Sequence, residues 1–460
     1  MNSDPEPSND NTPQADKKQE KEPKKPRVGG GRHGFDDYPN APINNIGSGY
    51  CAGDKCPLCN SGRLYKGESR KLLEFTGSSP IEATKHEKEV MRCNKCSHEF
   101  MSNAQVHKWN NTARSSIVLQ RVFGMPFYRL SKLQALCQTP VSEATMWEQF
   151  SGLWNDAGLY IYNGLLSLSA ESETLYSDDT RVRILSEHQK NKALPKNEKR
   201  ACHTTVCLSM FERHHIALYI SANRHCGENL GLILSKRKNR EKAIKLMIDA
   251  SSCNTSFIDE NFKKILRIIV AKCLTHGRRK FTDLEDFYPE ECGYFLGKIA
   301  LIYFNEKKCK SENYSAAKRL AYHQRYSKKH IYQIYSKIEH LFKNKQVEPN
   351  SSLGRAMKYW LNHKDGLCKF LEVDGIELDN NSSERALKTI ILQRKNSLFY
   401  KNVDTAEVSS GLSSIVKTCE LNKVNAFKYL NWIQDNYKEV REDPGKFMPW
   451  HYGSGPPVFA

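Results

Sequence analysis

Leu378-Asp379-Asn380-Asn381-Ser382-Ser383-Glu384-Arg385-Ala386, followed by Arg394-Lys395-Asn396, is the stretch on which the reading of this chain turns. A short apolar strand candidate, Gly375-Ile376-Glu377-Leu378, leads into it. Asn and Ser accept hydrogen bonds from the free N–H groups of a helix start, so the Asn/Ser cluster predicts a helix with Glu384 on its first turn. Glu384 stands three residues past Asn381, the spacing of a capping box, and a capping partner is its plain reading. A carboxylate there, with Arg385, Arg394 and Lys395 behind it, also suits a metal held against phosphates.

Upstream the pattern alternates between strand and helix. Thr174-Leu175-Tyr176 and Arg181-Val182-Arg183-Ile184-Leu185 flank Ser177-Asp178-Asp179-Thr180 and read as strand, with a polar loop from Glu187 to Arg200. Thr204 to Met210 and His215 to Ile220 read as a β-pair, and Gly227 to Lys242 as an amphipathic helix. Ala243 to Ile248 is a short apolar run ending on Asp249, and Ile265 to Cys273 is a further strand. From Arg278 to about Phe370 the pattern is helical, with Ile331, Ile334, Ile338 and Leu341 on one face. The fold class that follows is an α/β sheet interrupted by a long all-helical insertion. Before it, residues 104–170 read as helices. Phe127 to Leu136 is broken by Thr139-Pro140, and a new helix opens at Ser142, which resembles a helix-turn-helix and equally any helical hairpin.

The chain of 460 residues carries 70 Lys and Arg against 52 Asp and Glu, a net charge of +18. An excess of this size points to a polyanionic partner such as DNA or RNA. No apolar run is long enough for a membrane span, and the polar N-terminus does not read as a signal peptide, so a cytoplasmic location is expected. Residues 1–47 are too polar to build a core and read as a disordered tail.

Fifteen cysteines in a chain this long do not suggest a disulfide framework. Cys56-Pro57-Leu58-Cys59 and Cys93-Asn94-Lys95-Cys96 form two CxxC knuckles separated by 33 residues. Four thiolates offered from two tight turns suit tetrahedral Zn²⁺, and four protein ligands leave no open position, so this metal would be structural.

Phosphoryl transfer with two divalent ions needs carboxylates that converge from different elements. Asp178 follows a strand candidate, Asp249 ends another, and Glu384 opens a helix. Singly each has an ordinary reading, as turn residue, N-cap or capping partner; together at the edges of one sheet they form a catalytic candidate. Arg278, Arg279 and Lys280, with Arg385, Arg394 and Lys395, are candidate phosphate contacts. Lys236-Arg237-Lys238 is read slightly in favour of a solvated helix face over a phosphate contact, and His276 as either a phosphate-orienting or a structural histidine.

These pieces, in this order, resemble the transposases of bacterial insertion-sequence family sixty-six, zinc-bearing DDE enzymes. The resemblance rests on the two CxxC knuckles, Ser177-Asp178-Asp179-Thr180, and Cys273-Leu274-Thr275-His276-Gly277-Arg278-Arg279-Lys280-Phe281. It continues through Ser352 to Trp360, Asp379-Asn380-Asn381 with Glu384-Arg385-Ala386, Gln393-Arg394-Lys395-Asn396, Leu421-Asn422 and Tyr429-Leu430, covering about residues 50–437. The chain departs from the family pattern at Asp179, where Glu is usual, at Ala250-Ser251 after the second acid, and at Leu274 in place of Trp.

The resemblance implies an RNase H-like core with Asp178, Asp249 and Glu384 as its acids, holding Mg²⁺ or Mn²⁺ for strand cleavage and strand transfer. It implies a zinc-ribbon-like module over residues 48–103, DNA recognition by 104–170, core over 171–282 and 371–437, the insertion over 283–370, and a tail over 438–460. Double-stranded DNA, meaning the element's terminal inverted repeats and target DNA, is the implied partner. A homo-oligomer on DNA, accessory proteins of the same element and nucleoid association belong to the same expectation. Two rival functions stay open: a transposase-derived DNA-binding regulator that does not cut, and a structure-selective nuclease on the same fold.

Overall fold

The computed structural model describes Ile43, Gly49, residues 51–65 and residues 79–453, apart from 88, 93–98, 102–107, 196, 197, 252, 253, 256, 257, 259–261, 263 and 264. Apart from Ile43, the tail read over residues 1–47 lies outside the described residues, as do Cys93 and Cys96. The chain divides into two units, Met1–Ser78 and Ser79–Ala460.

In the first unit the chain folds back on itself around Cys56 and Cys59. Gly53 N–H donates to Leu64 O and Cys56 N–H to Gly62 O, both at 2.8 Å. The turn closes with Asn60 at a φ of +55°, a left-handed conformation that Asn tolerates better than most residues.

The second unit opens with a hairpin of β1 (Val90–Arg92) and β2 (Glu99–Met101). Four helices follow: α1 (Asn111–Val122), α2 (Phe127–Leu136), α3 (Glu143–Leu153) and α4 (Leu159–Glu171). The helix-turn-helix spacing is realised by α2 and α3, and Ser142 caps α3 by accepting from Thr145 N–H at 3.2 Å.

Five strands then form one mixed sheet: β3 (Thr174–Arg181), β4 (His203–Phe211), β5 (His214–Ala222), β6 (Ile244–Ile248) and β7 (Ile268–Lys272). Their order is β5-β4-β3-β6-β7, with β3, β4 and β5 antiparallel in turn and β6 and β7 parallel to β3. Side chains alternate across this sheet. Leu175, Cys207, Leu218, Leu246 and Ile248 enter one core with α1, α3, α4 and α6 (Cys226–Leu234). Val206, Leu208, Ala217 and Tyr219 face the opposite side.

Beyond β7 the structure is helical: α7 (Leu274–Thr282), α8 (Pro289–Ser311), α9 (Ala316–Tyr326), α10 (Lys328–Lys343), α11 (Ser352–Asn362) and α12 (Lys364–Cys368). They bury the expected Ile331, Ile334, Ile338 and Leu341 in a core shared with Met247 and Ala271 of the sheet. Within it Glu306 is held by Arg319, whose Nη2 lies 2.8 Å from Oε1, and by His323 Nε2, 2.9 Å from Oε2. Burial alone would raise this carboxyl, but those partners and Lys310 outweigh it and hold it down at about 2.

The last elements are α13 (Asn381–Ser397), α14 (Val403–Leu421), α15 (Ala426–Asp435) and α16 (Tyr437–Glu442). Helix α13 sets Ala386, Leu387 and Ile390 on the outer face of β4 and β5. Helix α14 covers the open edge of β5 with a row of polar side chains one turn apart. Thr418 Oγ1 accepts from Ala217 N–H at 3.1 Å, Ser414 Oγ from Tyr219 N–H at 2.8 Å, and Asn422 Oδ1 from His215 N–H at 3.1 Å. An edge strand whose N–H groups are taken this way no longer offers a template for another chain.

Three local expectations are corrected. Gly375 to Leu378 is not a strand. Gly375 turns at a φ of +71°, Ile376 and Leu378 are buried, and Leu378 O accepts from Leu274 N–H at 2.9 Å, which ties the segment to α7. The helix read from Gly227 to Lys242 stops at Leu234, because Arg237 folds inward to donate to Ala170 O at 2.9 Å and Ser172 O at 2.7 Å. The strand read through Leu185 ends at Arg181, and part of the loop after Glu187 is helix α5 (Leu185–Ala193).

Candidate active site

Strand register brings the first two acids together. Thr174, Leu175 and Tyr176 of β3 pair in parallel with Lys245, Leu246 and Met247 of β6. Continuing that register by two residues sets Asp178 level with Asp249, and the period of two puts both on the face shared by Tyr176 and Met247. Asp249 stands directly after β6, at the carboxyl ends of the parallel strands, where open α/β sheets place their sites. Its Oδ1 accepts from Ser251 N–H at 3.0 Å and from Asn254 Nδ2, while its carbonyl takes Lys272 Nζ at 2.9 Å.

Helix α13 delivers the third acid, by a device different from the expected Asn cap. Asn380 is the N-cap residue but its side chain makes no capping bond. It is fully buried and donates from Nδ2 to Ser177 O at 2.8 Å, on the residue before Asp178. Asp379 Oδ1 accepts from Asn381 N–H at 3.2 Å, and Asn380 N–H reaches Cys273 Sγ at 3.3 Å. The start of α13 is thereby tied both to β3 and to the end of β7, with Glu384 one turn along.

Burial pushes the Asp178 carboxyl up to about 7; the Asp179 N–H opposes this, and the charges of Asp249, Asp179 and Glu384 add to it. The structure thus brings Asp249 and Glu384 within electrostatic reach of Asp178. Glu384 Oε1 lies 3.9 Å from His276 Nδ1 on α7, and both atoms are buried with no hydrogen-bond partner among the described residues. Burial lowers Lys272 and raises Tyr359, and the Asp249 charge acts on both. Sequence reading named His276 as phosphate-orienting or structural, took Asn380 for part of the cap, and gave Lys272 and Tyr359 no role. The Asn380 tether is a contact between residues 203 apart and leaves no local pattern.

The carboxylates suit a hard divalent ion, which takes oxygen ligands. An unpartnered, buried Glu384 oxygen and a raised Asp178 carboxyl fit residues that take a cation. Cys273, His276 and Glu384 also stand close enough to hold a metal. The Cys273 sulfur, however, already accepts the Asn380 N–H, which favours the carboxylate set.

The basic candidates divide. Arg278, Arg279 and Lys280 are exposed along α7, with Lys280 Nζ 5.3 Å from the centre of the Tyr359 ring. Arg385 and Lys395 are exposed on α13. Arg394 instead donates to Thr180 Oγ1 at 2.8 Å and to Arg181 O, bracing the end of β3. Arg237 is buried and lies beyond the end of α6, which corrects the reading of Lys236-Arg237-Lys238 as a solvated helix face.

In the first unit, Gly62 N–H points at Cys59 Sγ at 3.4 Å. Hydrogen bonds from Ser61, Gly62 and Cys56 hold the Cys59 thiol down at about 6. This turn presents a sulfur in the anionic form that metals bind.

The chain is similar to two uncharacterised proteins of Sinorhizobium fredii. The protein y4jD is 33% identical over 162 residues, which cover 35% of this chain and 31% of y4jD. The protein y4hP is 27% identical over 205 residues, covering 41% of this chain and 36% of y4hP. The chain thus spans about a third of the length of these curated relatives. The family model described as "Transposase IS66 family" matches residues 110–408, well over half of the chain, including the whole of the acid-bearing sheet and α13. On that match, the chain belongs to the IS66 transposase family.

Proposed function

We propose that this chain is the DNA transposase of an insertion sequence, with Asp178, Asp249 and Glu384 as a DDE triad that holds two Mg²⁺ or Mn²⁺ ions on an RNase H-like core. The observation that carries this reading is the level placement of Asp178 and Asp249 on adjacent parallel strands, with Glu384 brought over them from α13. The strand order β5-β4-β3-β6-β7, antiparallel and then parallel, supports the RNase H-like assignment. Helices α8 to α12, lying between β7 and α13, correspond to the insertion.

Bound metals would supply Lewis-acid activation of a water or a DNA 3′-hydroxyl and neutralise charge on the phosphate under attack. The protein's own part is positional. Asn380 locks α13 to β3, Arg394 braces the same strand, and Ser251 and Asn254 fix the Asp249 carboxylate. His276 faces Glu384 and limits the rotamers open to it. The exposed cations Arg278, Arg279, Lys280, Arg385 and Lys395 would receive the DNA backbone, contacts that position without reading sequence.

Cys56, Cys59, Cys93 and Cys96 would hold structural Zn²⁺, and that module with α2 and α3 would recognise the terminal inverted repeats of double-stranded DNA. Target DNA, a homo-oligomer on DNA and accessory proteins of the element complete the proposed setting, in a bacterial cytoplasm at the nucleoid. No helix among the described residues is long and apolar enough to cross a membrane.

The test is incubation of the full chain with Mg²⁺ and a supercoiled plasmid carrying the element's ends. Cleavage at the ends with joined strand-transfer products is the expected result. Cleavage without joining would assign the protein as a nuclease, and end binding without cleavage as a regulator.

A further inference from the structure

A second cluster of ligating side chains lies on the opposite face of β3 from the acids. Neighbouring residues of a strand point to opposite faces, so Asp179 faces away from Asp178. In the β3–β4 register Asp179 pairs with Thr205 and Arg181 with His203, which makes Asp179 and His203 diagonal neighbours on one face. The N-terminus of α6 crosses that face: Cys226 N–H donates to Asp179 Oδ2 at 3.1 Å, and His225, its N-cap residue, stands beside it. His225 Nδ1 lies 4.0 Å from Asp179 Oδ2, and the two imidazole rings are 4.4 Å apart. One ligating atom from each of Asp179, His203 and His225 falls within 4.8 Å of the others.

His203 supplies the independent observation. It is only 6% exposed, and its Nδ1 is buried with no hydrogen-bond partner among the described residues. A buried ring nitrogen left unpaired is unfavourable, and a cation between the three side chains would satisfy it.

We propose that Asp179, His203 and His225 form a binding site for a divalent transition-metal cation, separate from the carboxylate site across the sheet. Two imidazoles and one carboxylate are the ligand set of zinc, cobalt, nickel and non-haem iron, whereas magnesium prefers oxygen alone. Ligand atoms around tetrahedral zinc stand roughly 3.4 Å apart, from bonds of about 2.0–2.1 Å. The cluster therefore has to contract modestly, which the 43% exposed His225 side chain can do by exchanging its capping bond at the start of α6 for the cation. Three protein ligands leave at least one position open to water. A cation held there staples β3, β4 and α6 behind the strand that carries Asp178.

The site is tested by titrating metal-free full-length protein with Co²⁺ and following visible absorption and melting temperature. Cobalt at the cysteine knuckles gives a sulfur-to-metal charge-transfer band, whereas cobalt on nitrogen and oxygen gives only weak d–d bands. The expected result is one cobalt bound without a charge-transfer band beyond any held by the carboxylate site, with a rise in melting temperature by linkage. That cobalt is lost in His225→Ala and in His203→Asn, and kept in an Asp249→Asn, Glu384→Gln double variant. The charge-transfer band persists in all of them. His225→Ala alters a half-exposed residue, so it reports even where the buried His203→Asn does not fold. Unchanged cobalt stoichiometry in folded His225→Ala, or loss of the nitrogen–oxygen cobalt in the double acid variant, would overturn the proposal.

Discussion

Replacing Glu384 by glutamine is expected to reduce strand cleavage roughly 10³-fold or more while leaving the fold and DNA affinity intact, if the acids act as a unit. Glutamine keeps the volume of the side chain and its place on the first turn of α13. Glu384 Oε1 has no hydrogen-bond partner among the described residues, so exchanging the carboxylate for an amide breaks none there. It also removes a charge that acts unfavourably on Asp178, so stability should hold or rise slightly. What is lost is a carboxylate ligand on the oxygen-rich face of the site. Cleavage of end-bearing DNA, measured beside melting temperature and an electrophoretic binding assay, separates these effects. Retained cleavage by a folded Glu384→Gln protein would move the third role elsewhere, with Asp379 the first residue to test.

Trp360→Ala is expected to destabilise the protein by about 3–5 kcal/mol, the range for truncating a buried Trp or Phe. Trp360 is fully buried on α11 and donates from Nε1 to Gly277 O at 3.0 Å, on the helix that carries His276. Its ring lies 6.0 Å from that of Phe281 and 6.1 Å from that of Tyr335. A Cβ on Gly277 would stand 3.1 Å from the indole, so α7 approaches this side chain as closely as a glycine permits. The substitution opens a cavity between α7 and α11 and removes the indole bond to the Gly277 carbonyl. Chemical denaturation checks the magnitude. A loss below about 1 kcal/mol would show that the indole does not couple the two regions.

Much of this architecture could be read from the chain, and the parts that could not share a physical reason. The β-pair of His203–Phe211 and His214–Ala222, the apolar runs before Asp249 and Cys273, and the helix opening at Ser142 are local patterns, and each stands close to where its periodicity put it. The helical face of Ile331, Ile334, Ile338 and Leu341 is buried as its spacing requires. The errors lie where tertiary contacts decide. Arg237 looked like part of a charged helix, yet its guanidinium satisfies buried carbonyls at the end of α4. Gly375 to Leu378 had a strand's composition but finds no ladder partner and serves as a tether to α7.

The candidate site divides in the same way. Asp178, Asp249 and Glu384 could be named because each stands at an element boundary. Their convergence depends on β3–β6 register and on the Asn380 bond to Ser177 O, neither of which is local. Asn380 was read as a cap because Asn is a common N-cap residue, whereas its burial commits the side chain to β3. The cluster of Asp179, His203 and His225 has no motif spacing at all; only the strand register and the start of α6 bring it together.

The most direct test of the central claim is the metal dependence of Asp249→Cys in the cleavage assay, because Asp249 is the acid placed by register alone. Magnesium demands oxygen ligands, whereas manganese is softer and tolerates a thiolate. The account predicts a folded Asp249→Cys protein that is silent with Mg²⁺ and regains cleavage of the element's ends with Mn²⁺. Cleavage by Asp249→Cys with Mg²⁺ at the level of the unmodified protein would contradict it.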